Sequence, residues 1–345
     1  MNFASDNTAA IAPAILKAIT QANEGFTLGY GNDALTRGVE TRVSELFERD
    51  CAVFLVPTGT AANALALAQV TPPWGTVLCH AQAHIMTDEC GAPEFFSGGA
   101  KLIGLAGDGG KLTADTVAAA VAHYSGHRPH QANAASLSIT QATEAGTIYR
   151  VEQIAALAQA AHAGGLKVHM DGARFANALA RMNVSPAEAT WRAGVDVLSF
   201  GATKGGAMAA EAVVFFDPKL ADAMPERRKR AGHLFSKHRF LAVQFAAFLA
   251  DGYWLQLARH ANAMADLLCA RLQAAGARIL WPVEANLVFA VLPRALDARL
   301  QAAGAAYYAR RSDALPESEM LVRLVTSFAT VESEIENFAA LIQKG

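Results

Sequence analysis

Cys51-Ala52-Val53-Phe54-Leu55-Val56-Pro57-Thr58-Gly59-Thr60 runs from an apolar stretch into a turn of proline, threonine and glycine, and Ala61 to Gln69 then continues as an alanine-rich helical stretch. Cys51 to Val56 reads as a buried strand, and the turn that follows opens a helix. The same change of character recurs twice downstream. Leu166 to Met170 gives way to Asp171-Gly172-Ala173-Arg174, and Val195 to Phe200 gives way to Ala202-Thr203-Lys204-Gly205-Gly206.

Further strand candidates lie at Thr76 to Cys79, Lys101 to Leu105, Ala135 to Thr140 and Ala212 to Phe216, with helical stretches such as Val151 to Ala163 between them. That alternation predicts an α/β fold with a mostly parallel central sheet wrapped by helices. Beyond about residue 250 the order changes. A long helical segment, Trp254 to Ala275, precedes strand-like Asn286 to Leu292 and Leu321 to Thr326, which predicts a smaller α+β domain. The boundary is placed near Ala247, giving a large domain over 1–247 and a small one over 248–345.

The three turns carry complementary chemistry. Thr58, Gly59 and Thr60 open a helix, where free backbone N–H groups and the helix dipole favour an anion such as a phosphate. Asp171 ends a strand and is the candidate carboxylate for a protonated pyridine nitrogen. Lys204, next to Thr203 and followed by glycines that are expected to leave room for a cofactor, supplies an amine for an aldehyde. Singly, each has an ordinary reading as a helix cap, a turn residue or a solvated charge. Jointly, each at the carboxyl end of a predicted strand, they point to pyridoxal 5'-phosphate at a typical α/β ligand position.

An amino-acid substrate adds a demand for a cation on its carboxylate. Arginine suits this because its planar fork grips a carboxylate with two hydrogen bonds. Arg174 follows Asp171 by three residues, and Arg323 stands in the otherwise apolar run Leu321 to Val325, where burial without a partner would be costly. His84 is a candidate to stack on the pyridine ring and to exchange protons near neutral pH. His80 and His84 also have the i, i+4 spacing of a metal pair, with Asp88 and Glu89 after them. No HExxH motif accompanies them, and no metal is expected.

Composition narrows the field. The 345 residues are 52% hydrophobic, enough for a large core, and the net charge of -2 with a pI near 6.6 implies neither nucleic acid nor a membrane surface as partner. Arg227-Arg228-Lys229-Arg230 reads as a solvated helix face. Cys51, Cys79, Cys90 and Cys269 form no CxxC pair and read as reduced thiols of a cytoplasmic protein. No apolar run approaches the roughly 20 residues of a membrane span, and no secretory segment opens the chain.

Ser5-Asp6-Asn7-Thr8, Pro57-Thr58-Gly59-Thr60, Val168-His169-Met170-Asp171-Gly172-Ala173-Arg174, Thr203-Lys204-Gly205 and Val322-Arg323-Leu324-Val325-Thr326 together resemble the signature segments of the low-specificity L-threonine aldolases. These are fold type I pyridoxal-phosphate enzymes of the β-eliminating lyase superfamily. The resemblance implies retro-aldol cleavage of L-threonine and L-allo-threonine, and of other β-hydroxy-α-amino acids such as phenylserine, to glycine and an aldehyde. It implies Ser5, Arg174 and Arg323 on the substrate carboxylate, His84 stacked on the ring and Glu89 beside it. A homodimer or homotetramer with shared sites is implied as well, with Tyr30 or the segment around Lys237 reaching into a neighbour. Where many members carry a second histidine, Gln141-Ala142-Thr143-Glu144-Ala145-Gly146 places Glu144, a second candidate base after His84. Another fold type I lyase or aminotransferase, or a silent cofactor binder, would use the same lysine and aspartate. A nicotinamide dehydrogenase is disfavoured, since no Gly-x-Gly-x-x-Gly follows a strand.

Overall fold

The computed structural model describes residues 1–126, 129–310, 312 and 314–343. Its strands are β1 (Ala52–Val56), β2 (Gly75–His80), β3 (Lys101–Leu105), β4 (Asn133–Thr140), β5 (Lys167–Gly172), β6 (Val197–Gly201), β7 (Glu211–Phe215), β8 (Arg278–Ile279), β9 (Leu287–Pro293), β10 (Tyr308–Arg310) and β11 (Glu319–Val325). The first seven form one sheet in the order β1-β7-β6-β5-β4-β2-β3, in which only β7 runs against its neighbours. Helices cover both faces, so the central strands are apolar throughout: β2, β6 and β7 are buried along their whole lengths.

The carboxyl ends of β1, β5 and β6 open on one edge of this sheet. Thr58 caps the helix Gly59–Val70, its hydroxyl accepting from the Ala61 amide at 3.1 Å. That helix is rich in alanine because it lies flush on the sheet: Ala61, Ala62, Leu65 and Ala66 pack with Val56, Val197, Val213 and Phe215. Gly201, at the end of β6, is required by close approach, since a Cβ there would stand 2.7 Å from the Ala173 carbonyl oxygen. The turn bearing Asp171 and the turn bearing Lys204 are thereby held together. The sequence reading expected Gly205 to leave room for a cofactor, and the structure gives it a different task. A Cβ there would meet the Phe248 ring at 2.8 Å, so this glycine makes space for the core.

The second sheet is antiparallel, in the order β10-β11-β9-β8, and it packs on the helices Tyr253–Ala274 and Glu332–Gln343. Alternation along β11 sends Met320, Val322 and Leu324 into that core and leaves Leu321, Arg323 and Val325 on the opposite face, towards the large sheet. The first residues of the chain join this half. Phe3 pairs with Ala306 and Val325 through its backbone and meets Phe338 edge to face at 5.3 Å. Residues 5–8 are thus laid across the gap between the two sheets. The short strands β8 and β10 carry too little pattern to be read from sequence.

Arg239 to Ala274 has the length and mean hydropathy of a membrane span. It is two helices broken at Asp251 and Gly252, both with left-handed φ, and Phe245, Phe248 and Trp254 bury its apolar face in the core. The basic run 227–230 is only in part the solvated face expected. Arg227 donates to Gln69, and Arg228 donates to the Leu55 carbonyl beneath the same helix layer and lies 5.4 Å from the Phe54 ring.

Candidate active site

Two adjoining cavities open where the strand ends meet residues 5–8. The first, about 360 Å³, is lined by Thr58, Gly59 and Thr60, by Asp171 and Asn63, and by Lys204 and Glu211. The second, about 340 Å³, is lined by Ser5, Arg174, Arg323, Asp88 and Glu144, with Glu144 close enough to both arginines to favour their charged forms. Asn7, His84 and Lys204 line both. Thr203 lies in the wall of the first cavity, and its hydroxyl accepts from the Ala210 amide at 3.1 Å.

Asp171 is buried, with one oxygen accepting from the Ala173 amide at 3.0 Å and the other from the side-chain amide of Asn63 at 3.0 Å. The Asn63 nitrogen also donates to Glu89 at 2.8 Å. The same Glu89 oxygen bonds Nδ1 of His84 at 2.8 Å. This bond raises the His84 pKa against the effect of burial, because an anionic carboxylate favours the imidazolium. Burial in turn raises the pKa of Glu89. With Nδ1 committed to Glu89, Nε2 of His84 is left as the ring's exchangeable position.

The carboxylate end is organised differently. Arg174 is buried and forks onto Asp6, Nε to one oxygen at 2.7 Å and Nη2 to the other at 3.0 Å. Burial opposes charge on Asp6, but the Arg174 guanidinium and the Lys204 ammonium outweigh it and hold its pKa below the usual carboxylate value. Asn286 adds a third donor to Asp6 at 3.1 Å. Among the described residues, Arg323 has no such ion pair. It lies 5.1 Å from the Tyr308 ring, donates to the Ala4 carbonyl at 3.3 Å and keeps a buried Nε without a partner. Ser5 Oγ accepts from the Asn7 amide at 3.2 Å and faces the same cavity.

Glu211 enters β7 opposite Val56 and Gly201, and its side chain accepts from the Ala202 amide at 3.1 Å. Full burial pushes its pKa up to about 7. Two residues before Asp171, His169 is bracketed by the hydroxyls of Ser138 and Ser199 at 2.9 Å each, and burial lowers its pKa to about 4.

The sequence reading placed Ser5, Thr58, Gly59, Thr60, His84, Glu89, Glu144, Asp171, Arg174, Thr203, Lys204 and Arg323 at the site, and all of them line these two cavities. Tyr30 and Lys237 do not. Tyr30 is half exposed beneath the Lys229 ammonium, and Lys237 is exposed. His80 is turned away, with one nitrogen bonded to the Gly107 carbonyl and the other accepting from the Gln82 amide. Asn63, Asp6, Asn286 and Glu211 were not anticipated. Asn63 carried a usable signal, as the one polar residue in Ala61 to Ala68.

The donor set fits pyridoxal 5'-phosphate. The helix cap offers backbone N–H groups and hydroxyls, and a Cβ on Gly59 would meet nothing within 4 Å. Lys204 is free of any hydrogen bond or ion pair among the described residues, and Glu89 Oε2 and Asn63 Oδ1 are buried without partners in the same wall.

A model of the beta-eliminating lyase family matches residues 2–295. A low specificity L-threonine aldolase of a Pseudomonas species is 45% identical over 289 residues, covering 83% of each chain. The enzyme of that name from Pseudomonas aeruginosa is 44% identical over 308 residues, 89% of this chain and 88% of its own. The structure of Leishmania major threonine aldolase superimposes with a TM-score of 0.93 at 29% identity, over 99% of this chain and 98% of that one. The molecule has the fold type I architecture of pyridoxal-phosphate enzymes, and pyridoxal 5'-phosphate is its cofactor. With a family match over most of its length and two such relatives above 40% identity, this chain belongs to the beta-eliminating lyase family, as do the low-specificity L-threonine aldolases it resembles.

Proposed function

We propose that the protein cleaves L-threonine, L-allo-threonine and related β-hydroxy-α-amino acids to glycine and an aldehyde. The observation that carries this reading is that His84 and Lys204 line both a cofactor cavity and a second cavity in which Ser5, Arg174 and Arg323 stand with Glu144. When bound, the cofactor supplies an electron sink at the substrate's α-carbon. The chain's own residues do the rest. Arg323, with Ser5 and Arg174, would hold the carboxylate and so fix the orientation of the bond to the β-carbon. His84 Nε2 takes the β-hydroxyl proton, and Glu144 lies across the cavity as an alternative acceptor. Lys204 would be the amine that holds the cofactor's aldehyde, and it lines both cavities, within reach of the substrate.

Beyond Glu144 a third cavity, lined by Trp281, Phe289 and Leu321, adjoins the substrate cavity and gives room for β-substituents larger than methyl. Phe26, Leu28, Tyr30 and Phe235 form an exposed apolar face, which supports a homodimer or homotetramer in which this face meets a second copy. A division near residue 247 fits the separation of the two sheets, and four free cysteines fit a cytoplasmic setting.

The test is product analysis with L-threonine, L-allo-threonine and L-phenylserine beside Lys204→Ala. Glycine and the matching aldehyde, absent in the variant, are expected. Formation of 2-oxobutyrate and ammonia, or of no product, overturns the reading.

A further inference from the structure

We propose that Asn63 is a positioning residue that couples the carboxylate intended for the cofactor's ring nitrogen, Asp171, to the proton-accepting pair His84 and Glu89. The proposal rests on the aldolase reading for its catalytic meaning, but its geometry stands alone.

One amide nitrogen, buried at 2% exposure, donates both of its hydrogens to two different carboxylates, at 3.0 Å and 2.8 Å. Ionised carboxylates only accept, so the amide must present its NH2 here; turned over, its oxygen would face two acceptors. Like charges this close repel, and Asp171 adds to burial in raising the pKa of Glu89. Asn63 and His84 act the other way, each stabilising the charged form of Glu89 by a hydrogen bond to the same oxygen. Asn63 is also held where it is. It stands one turn into the helix that opens at the phosphate turn, between Ala62 and Ala64, which are buried against the sheet. The phosphate turn, the ring-nitrogen carboxylate and the general base are thus positioned from one helix.

The neighbouring chemistry explains why the residue is asparagine. Aspartate would bring three carboxylates together, and leucine would strip a donor from both Asp171 and Glu89. Serine could serve one of them, not both. The groups facing His84 are Glu89, Asp171 on β5, Glu144 and Lys204; a change at position 63 leaves all four side chains in the sequence and removes a hydrogen bond only from Glu89 and Asp171. A Glu89 that has lost the Asn63 donor holds its proton more tightly, and a neutral Glu89 no longer favours the imidazolium. The His84 titration then moves to lower pH.

The experiment compares wild type, Asn63→Leu, Asn63→Ser, Glu89→Gln and the Asn63→Leu/Glu89→Gln double variant as full-length protein. Two readouts are taken: the His84 imidazole titration by histidine-selective NMR in cofactor-free and cofactor-loaded protein, and the pH profile of kcat/KM for L-threonine. Expected in Asn63→Leu are a His84 titration displaced to lower pH, an acid limb displaced the same way, and kcat lowered about ten- to a hundredfold with KM nearly kept. The double variant is expected to titrate as Glu89→Gln alone. If Asn63→Leu fails to fold, Asn63→Ala, which also offers no donor to either carboxylate, is made and carries the test with the same direction. A His84 titration unchanged in the folded variant overturns the proposal, even where activity falls. A displaced titration in a protein whose wild type does not cleave threonine would leave the coupling intact and sink the aldolase reading instead.

Discussion

The cofactor cavity and the substrate cavity share a wall, yet they are built on opposite plans. The first is assembled from the carboxyl ends of neighbouring strands and the turns that follow them, so its parts are short contiguous segments. The second lies where the chain's opening residues cross from the small sheet to the large one, so Ser5, Arg174 and Arg323 come from three distant places. The difference is sharpest in its two arginines. Arg174 is paired within the protein to buried Asp6, whereas among the described residues Arg323 meets a carbonyl and an aromatic face and makes no ion pair. Arg174 thereby ties the N-terminal segment to the site, and on the proposed reading Arg323 brings the less compensated of the two charges to the substrate carboxylate.

The largest expected effect breaks the cofactor side. Asp171→Ala is expected to lower kcat roughly a thousandfold or more, which is about 4 kcal/mol of barrier, while leaving the chain folded; near-normal turnover would remove Asp171 from its role. Next, Asp6→Asn strands a buried guanidinium and is expected to cost about 3–5 kcal/mol of stability, read from denaturant unfolding of the cofactor-free protein. A loss well below 1 kcal/mol would mean that the Arg174 fork is incidental. Arg323→Ala is expected to leave that unfolding curve in place and to raise the KM for L-threonine about ten- to a hundredfold, as removal of a charge-assisted carboxylate contact of about 1.5–3 kcal/mol does. Equal losses of stability in the two variants would erase the contrast drawn between the arginines.

The smallest effect concerns Glu211. Its carboxyl has a folded pKa of about 7 against an ordinary 4.5, so the folded state holds the proton more tightly than the unfolded chain. The associated stability is fully present below about pH 4.5 and is lost as pH rises through 7. Glu211→Gln is therefore expected to match the wild type in acid and to become the more stable protein by neutral pH, in melting curves of the cofactor-free forms. Parallel curves across that range would show that Glu211 titrates normally.

Much of the cofactor side was legible without coordinates. A strand end, a helix cap and a lysine turn each leave a local pattern of a few residues, because β-strands buried on both faces are continuous apolar runs. The lysine turn also misled. Gly205 answers to the Phe248 ring, a neighbour 43 positions away (248 minus 205) that no local pattern announces. Asp6 stood in plain view between Ser5 and Asn7, but its partnership with Arg174 spans 168 positions. Asn63 was visible as a polar interruption of an apolar helix face, and its two acceptors were not.

The sequence by itself determined the α/β alternation, the phosphate turn, Asp171, Lys204 and the presence of Arg323 in an apolar strand, since each follows from periodicity or from the chemistry of adjacent residues. Only the tertiary structure decided which arginine pairs with a carboxylate of the chain itself, which amide bonds both Asp171 and Glu89, and where the N-terminus lies. Those outcomes depend on which buried charges and donors meet across the fold, and in a low-dielectric interior the partner, more than the residue type, sets what a charged group is free to do.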